Sequence, residues 1–161
     1  MTDDAGTEPN ADADTAVAFV CVENAGRSQM AAAFAERELA ERDLDGGITV
    51  VSGGTDPAEH VHEVVVEAMG EVGIDVSDRQ PRAITPAELA EVEYVVTMGC
   101  SADDVCPATW RGDARDWALD DPGGQDLATV REIRDEIRRR VSDLIDELVR
   151  EQEEEASATH D

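Results

Sequence analysis

The stretch Ala16–Glu41, AVAFVCVENAGRSQMAAAFAERELAE, decides the fold. Ala16 to Cys21 is an uninterrupted apolar run, the pattern of a short strand buried on both faces. After a brief polar loop, Gln29 to Glu41 is rich in alanine and other strong helix formers, with Gly46-Gly47 beyond to end the helix. A buried strand, a tight loop and a helix in this order open an α/β domain. The loop from Cys21 to Ser28 lies where successive backbone N–H groups curl round an anion. The helix N-terminus behind it adds about half an elementary positive charge.

Working outward, the same alternation continues. Ile48 to Ser52 (ITVVS) reads as a second strand, followed by the turn-like Gly53-Gly54-Thr55-Asp56-Pro57. Val61, Val64, Val65, Ala68, Met69 and Val72 recur at helical spacing. Thr85 with Glu88 has the form of a capping box for a short helix. Tyr94 to Met98 (YVVTM) predicts a third buried strand, and a short fourth one falls near Asp116 to Leu119. The last helix carries one apolar stripe through Leu127, Val130, Ile133, Ile137, Val141, Leu144, Ile145 and Leu148. These elements predict a three-layer α/β domain over residues 15–150, with a four-stranded parallel sheet flanked by helices. Residues 1–14 are polar and acidic without periodicity and are expected to be disordered; residues 151–161 form a polar tail.

Length and charge narrow the classes. A chain of 161 residues holds one compact domain. It has 39 acidic residues against 13 basic ones, all arginine, for a net charge of −26. Self-repulsion on that scale destabilises a fold in dilute buffer, but at molar salt the Debye length shrinks to about 3 Å. A halophilic protein of a salt-rich cytoplasm is the expectation. Counterion release from nucleic acid needs Lys and Arg clusters, so no nucleic-acid partner is expected. No apolar run approaches the ~20 residues of a membrane span, and Met1 to Asp14 does not read as a signal peptide. The chain is therefore read as soluble and cytoplasmic, where three cysteines are not a structural disulfide framework.

Active sites of parallel α/β sheets lie beyond the carboxyl ends of the strands. Cys21, Gly53-Gly54-Thr55 and Cys100 all follow predicted strands, so they are expected at one edge. Glu23, Asn24, Ala25, Gly26, Arg27 and Ser28 form the candidate oxyanion cradle, with Asn24 suited to a left-handed loop position. Arg27 can grip two oxyanion oxygens at once. The loop N–H groups, the helix dipole and Arg27 all favour a thiolate at Cys21, to which the Ser28 hydroxyl can donate a hydrogen bond. The bland alternative for Cys21 is a buried small hydrophobe closing a core strand. A nucleophile of this kind needs an acid for the departing oxygen; Asp120-Asp121-Pro122-Gly123 offers one, although the same residues also suit an ordinary turn. His60 and His62 read as turn or surface histidines, and Trp110 and Trp117 as packing residues. No metal site is expected.

The ordered segments CVENAGRSQMA, VSGGTDP, VTMGCSADDVCP and DWALDDPGG resemble the low-molecular-weight tyrosine phosphatase superfamily, and most of all its arsenate reductase branch. The likeness covers roughly residues 16–148. It implies Cys21 as nucleophile, Arg27 as oxyanion clamp, Ser28 as thiolate stabiliser and Asp121, rather than Asp120, as general acid. Arsenate is then the expected substrate and phosphate a competitor.

Phosphatase and reductase share the first step and diverge after it. A phosphatase needs only water, whereas reduction of arsenate needs a second thiol to attack the Cys21 sulfur. Cys100 and Cys106 are the candidate pair, Cys100 attacking Cys21 and Cys106 resolving the disulfide. An external reductant, thioredoxin or a low-molecular-weight thiol, completes the cycle, and thioredoxin is a candidate partner. The alternative is a tyrosine or small-molecule phosphatase, but Gly123-Gly124 stands where tyrosine-specific members carry aromatics to flank the phenol ring. A non-catalytic oxyanion sensor needs neither Cys21 nor an acid.

Overall fold

The computed structural model describes residues 15–44, 47–98 and 112–160, with the backbone alone for 153–160. Segment 1–14, Cys100, Cys106 and Trp110 lie outside the described residues. The elements run β1 (Thr15–Cys21), α1 (Arg27–Glu41), β2 (Ile48–Gly54), α2 (Glu63–Glu71), α3 (Pro86–Leu89), β3 (Tyr94–Met98), β4 (Asp113–Asp116) and α4 (Leu127–His160). The strands form one sheet in the order β2-β1-β3-β4, every pair parallel. This is the α/β architecture expected from the alternation of buried strands and helices.

β1 feeds both layers because successive side chains point to opposite faces. Val17, Phe19 and Cys21 join the large core with residues of α1, α2 and α4. Ala18 and Val20 face the other way, where Leu89 of α3, Val92 and Val95 cover them. The Thr85–Glu88 capping box is formed, with Pro86 opening α3. The apolar stripe of α4 is buried from Val130 to Leu148 as its spacing predicts.

Small shifts place Gly53 and Gly54 inside β2 and start α1 at Arg27, and two boundaries differ by more. β4 lies at Asp113–Asp116, before the apolar Trp117-Ala118-Leu119. It is an edge strand that pairs with β3 on one side only, so backbone pairing rather than an apolar pattern defines it, and charge along an exposed edge discourages pairing with other chains. Trp117 N–H continues the ladder to the Thr97 carbonyl at 2.9 Å, while its ring packs in the core 5.9 Å from Phe19. The second difference is α4, which runs on to His160 through residues expected to be a polar tail. Its apolar stripe ends at Leu148, yet Gln152 still donates to the Gly47 carbonyl at 3.1 Å and to Thr15 Oγ1 at 3.2 Å.

Arginine ties the helices of the larger layer together. Arg131 and Arg134 of α4 both reach Glu71 at the end of α2, at 2.6 and 2.9 Å. Hydrogen bonds first from Arg131 and then from Arg134 hold the Glu71 carboxyl down to about 2, well below its ordinary value. The contribution of this clip to stability is therefore present above the ordinary glutamate range and is lost as pH falls toward 2.

Candidate active site

The chain order places β1 between β2 and β3, so the winding reverses direction beside β1. The carboxyl end of a strand at such a switch point is where open α/β sheets bind ligands. Cys21 is the last residue of β1, in register with Gly54 of β2 and Met98 of β3. Its thiol is buried at the floor of a cleft of about 350 Å³, lined by Val22, Glu23, Ala25, Gly26, Arg27, His62 and Asp121.

The loop after Cys21 is held by backbone bonds from the loop after β2. Thr55, Asp56 and Ala58 N–H groups donate to the carbonyls of Cys21, Val22 and Glu23 at 3.1, 2.7 and 3.0 Å. Such close approach requires Gly54, where a Cβ would lie 2.5 Å from the Val22 oxygen and 3.0 Å from the Asn24 nitrogen. Asn24 takes the left-handed conformation expected of it, φ 53°. α1 starts at Arg27 with no side-chain cap and no acidic residue in its first turn. Its N-terminal dipole is thus left to an anion.

Around the sulfur the hydrogen bonds have a direction, set by a residue that can only donate. Arg79 Nε donates to Gln29 Oε1 at 2.7 Å, which makes the other end of that amide, Nε2, a donor to Asn24 Oδ1 at 3.0 Å. The Arg82 backbone N–H reaches the same oxygen at 3.0 Å. Asn24 Nδ2 must therefore donate to Ser28 Oγ, at 2.7 Å, leaving the Ser28 proton for Cys21 Sγ, 2.8 Å away. The Asn24 N–H donates to the same sulfur at 3.2 Å. Two hydrogen-bond donors thus converge on the buried sulfur. Ser28→Ala is expected to slow alkylation of Cys21 by iodoacetamide at neutral pH by about tenfold, the scale of one hydrogen bond to a charged group. Stopped-flow or mass-spectrometric rates would check it.

Arg27 and Asp121 form the other wall. Arg27 Nη1 donates to the Leu119 carbonyl at 3.1 Å, and Nη2 lies 3.9 Å from Asp121 Oδ2. Asp121 is exposed at the cleft mouth, its Oδ1 accepting from the Gly123 N–H at 2.9 Å. Pro122 packs on Gly26, where a Cβ would come within 2.6 Å of the ring. Asp121 and not Asp120 lines the cleft, and no Phe, Tyr or Trp does so among the described residues. The cleft thus unites Cys21 and Arg27 of one loop with Asp121 from a distant stretch of chain. Asn24 and Ser28 stand behind the sulfur, while Cys100 and Cys106 fall outside the described residues.

Three participants escaped the sequence reading. His62 lines the cleft, while His60 is exposed. Gln29 was available as a lone amide in an otherwise apolar helix start, Met30 to Ala35; Arg79 gave no signal.

Residues 16–154, which hold the whole of this site, match the family model described as "Low molecular weight phosphotyrosine protein phosphatase". The chain belongs to this family, in its arsenate reductase branch. It is similar to a protein of Halobacterium salinarum named "Putative arsenate reductase", 56% identical over 86% of this chain and 96% of that one. A solved arsenate reductase in a phosphate-binding state is 34% identical, with a TM-score of 0.69, over 83% of this chain and 98% of that chain. The thioredoxin-dependent arsenate reductase of Corynebacterium glutamicum is 35% identical with a TM-score of 0.68; the match covers 83% of this chain and 61% of that longer one. No described helix is long and apolar enough to cross a membrane.

Proposed function

We propose that this chain reduces arsenate to arsenite. The observation that carries the reading is the donor-lined Cys21 sulfur at the floor of a small cleft that no Phe, Tyr or Trp lines among the described residues, closed by Arg27 and Asp121. The Cys21 thiolate attacks arsenic, one oxygen leaves, and Asp121 gives it a proton so that water departs. Arg27 and the N–H groups of the loop other than that of Asn24, which donates to the sulfur, carry the charge of the remaining oxygens. Cys100 as thiolate then attacks the Cys21 sulfur. The S–As bond breaks with its electron pair passing to arsenic, so arsenic(V) becomes arsenic(III) while two thiols become a disulfide. Cys106 attacks Cys100 in turn, freeing Cys21 and leaving Cys100–Cys106 for an external reductant. Thioredoxin dependence of one relative and a phosphate-binding state of another support a thioredoxin-type donor and phosphate as competitor.

Purified protein at molar salt, where its charge of −26 is screened, is expected to form arsenite from arsenate when given a thioredoxin system or a low-molecular-weight thiol. Running both donors separately identifies the reductant. Vigorous aryl phosphate hydrolysis without arsenate turnover would overturn the reading in favour of a phosphatase. For the relay, Cys100→Ser quenched after one turnover is expected to hold no Cys21–Cys106 disulfide; such a disulfide, or normal turnover, would refute the order of attack.

A further inference from the structure

The loop that cradles the anion contains one acidic residue, Glu23, and its carboxylate sits at the cleft mouth. A negative charge there opposes both an incoming dianion and the Cys21 thiolate. His62 Nε2 lies 3.3 Å from Glu23 Oε1, close enough to interact with it when that nitrogen carries a proton. The ring is seated from several sides. The His62 backbone N–H donates to the Ala25 carbonyl at 3.0 Å. A Cβ on Gly123 would lie 3.0 Å from His62 Nε2, and one on Gly26 would lie 3.5 Å from its Cδ2. The imidazole therefore occupies space that both the cradle loop and the acid loop leave open. Arg27, the guanidinium of the cleft, is engaged with Leu119 and Asp121, which leaves His62 to meet Glu23.

We propose that His62 is a positioning residue of the oxyanion site, holding the Glu23 carboxylate aside through its contact at Nε2 so that arsenate or phosphate can enter the cradle. This rests on reading the cleft as an oxyanion site. It makes Glu23 adverse to anion binding, and it makes the role of His62 depend on Glu23 being charged.

The test is a double-mutant cycle on anion affinity, read as protection of Cys21 from iodoacetamide by inorganic phosphate. His62→Leu is expected to weaken protection by about fivefold, the upper range for a partly exposed ion pair. His62→Gln, which keeps an N–H donor, is expected to recover most of that loss. In a Glu23→Gln background the same His62→Leu change is expected to cost less than about twofold, because the partner charge is gone. Equal loss in both backgrounds, or no loss in either, would overturn the proposal. If His62→Leu does not fold, Glu23→Gln alone decides: tighter phosphate binding supports the proposal and weaker binding refutes it. The readout needs no arsenate turnover, so the two readings fail separately. Coupling without arsenate reduction sinks the reductase, and arsenate reduction without coupling sinks the His62 role.

Discussion

Cys21→Ser is expected to abolish arsenite formation, lowering the rate by at least about 10⁴-fold, the scale on which loss of a nucleophile acts. The replacement is close to isosteric, so the strand end, its pairing to Gly54 and Met98 and the loop geometry are retained. What changes is the acid. A serine hydroxyl in the same place stays protonated, and no histidine or other base stands within the chain of donors at Ser28, Asn24 and Gln29 to take its proton. Those groups present hydrogens to the sulfur, an arrangement that serves an atom already anionic and does nothing to activate a hydroxyl. Phosphate binding is expected to persist, since Arg27 and the loop N–H groups do not depend on the sulfur. Arsenite appearance with either reductant measures the first effect and calorimetric titration with phosphate the second. Survival of activity in this variant would sink the whole assignment of the site.

The sequence carried the backbone of this site further than its second layer. The apolar run at Ala16–Cys21 and the alanine-rich start of α1 locate the nucleophile on a strand-to-helix turn, because buried parallel strands and helices leave their periodicities in the residues. β4 was shifted by three residues because an edge strand needs ladder bonds and no apolar pattern, and Asp113–Asp116 supplies only the former. Asn24 was legible from its backbone preference and Ser28 from its place in the loop, whereas their distant supports were not. Arg79 meets Gln29 from 50 residues away and Arg82 meets Asn24 from 58 residues away, and nothing local in residues 77–82 says which loop they meet. His62 was hidden for a related reason. A histidine at the start of an amphipathic helix is an ordinary surface residue until the turn brings it over Gly26 and Gly123. The better signal was positional: it follows the carboxyl end of β2, at the sheet edge where Cys21 also emerges.

The acid assignment yields the second large effect. Asp121→Asn is expected to lower the rate of adduct formation with arsenate by about 10² to 10⁴-fold, the range of general acid catalysis. Asparagine keeps an oxygen to accept the Gly123 N–H, now at 2.9 Å from Asp121 Oδ1, so the acid loop keeps its shape over Gly26. It also removes a carboxylate 3.9 Å from Arg27, which frees the guanidinium for the anion. Affinity for arsenate is therefore expected to hold or rise while the chemical step slows, a pattern that a collapsed site does not give. The decisive comparison varies the leaving group. Arsenate must expel an oxygen that needs a proton, whereas an aryl phosphate with an acidic phenol leaves with little help. Single-turnover formation of the cysteine adduct is thus expected to suffer far less from Asp121→Asn with p-nitrophenyl phosphate than with arsenate. Equal losses for both would mean that Asp121 shapes the cleft without transferring a proton, and the acid would have to be sought elsewhere on the loop.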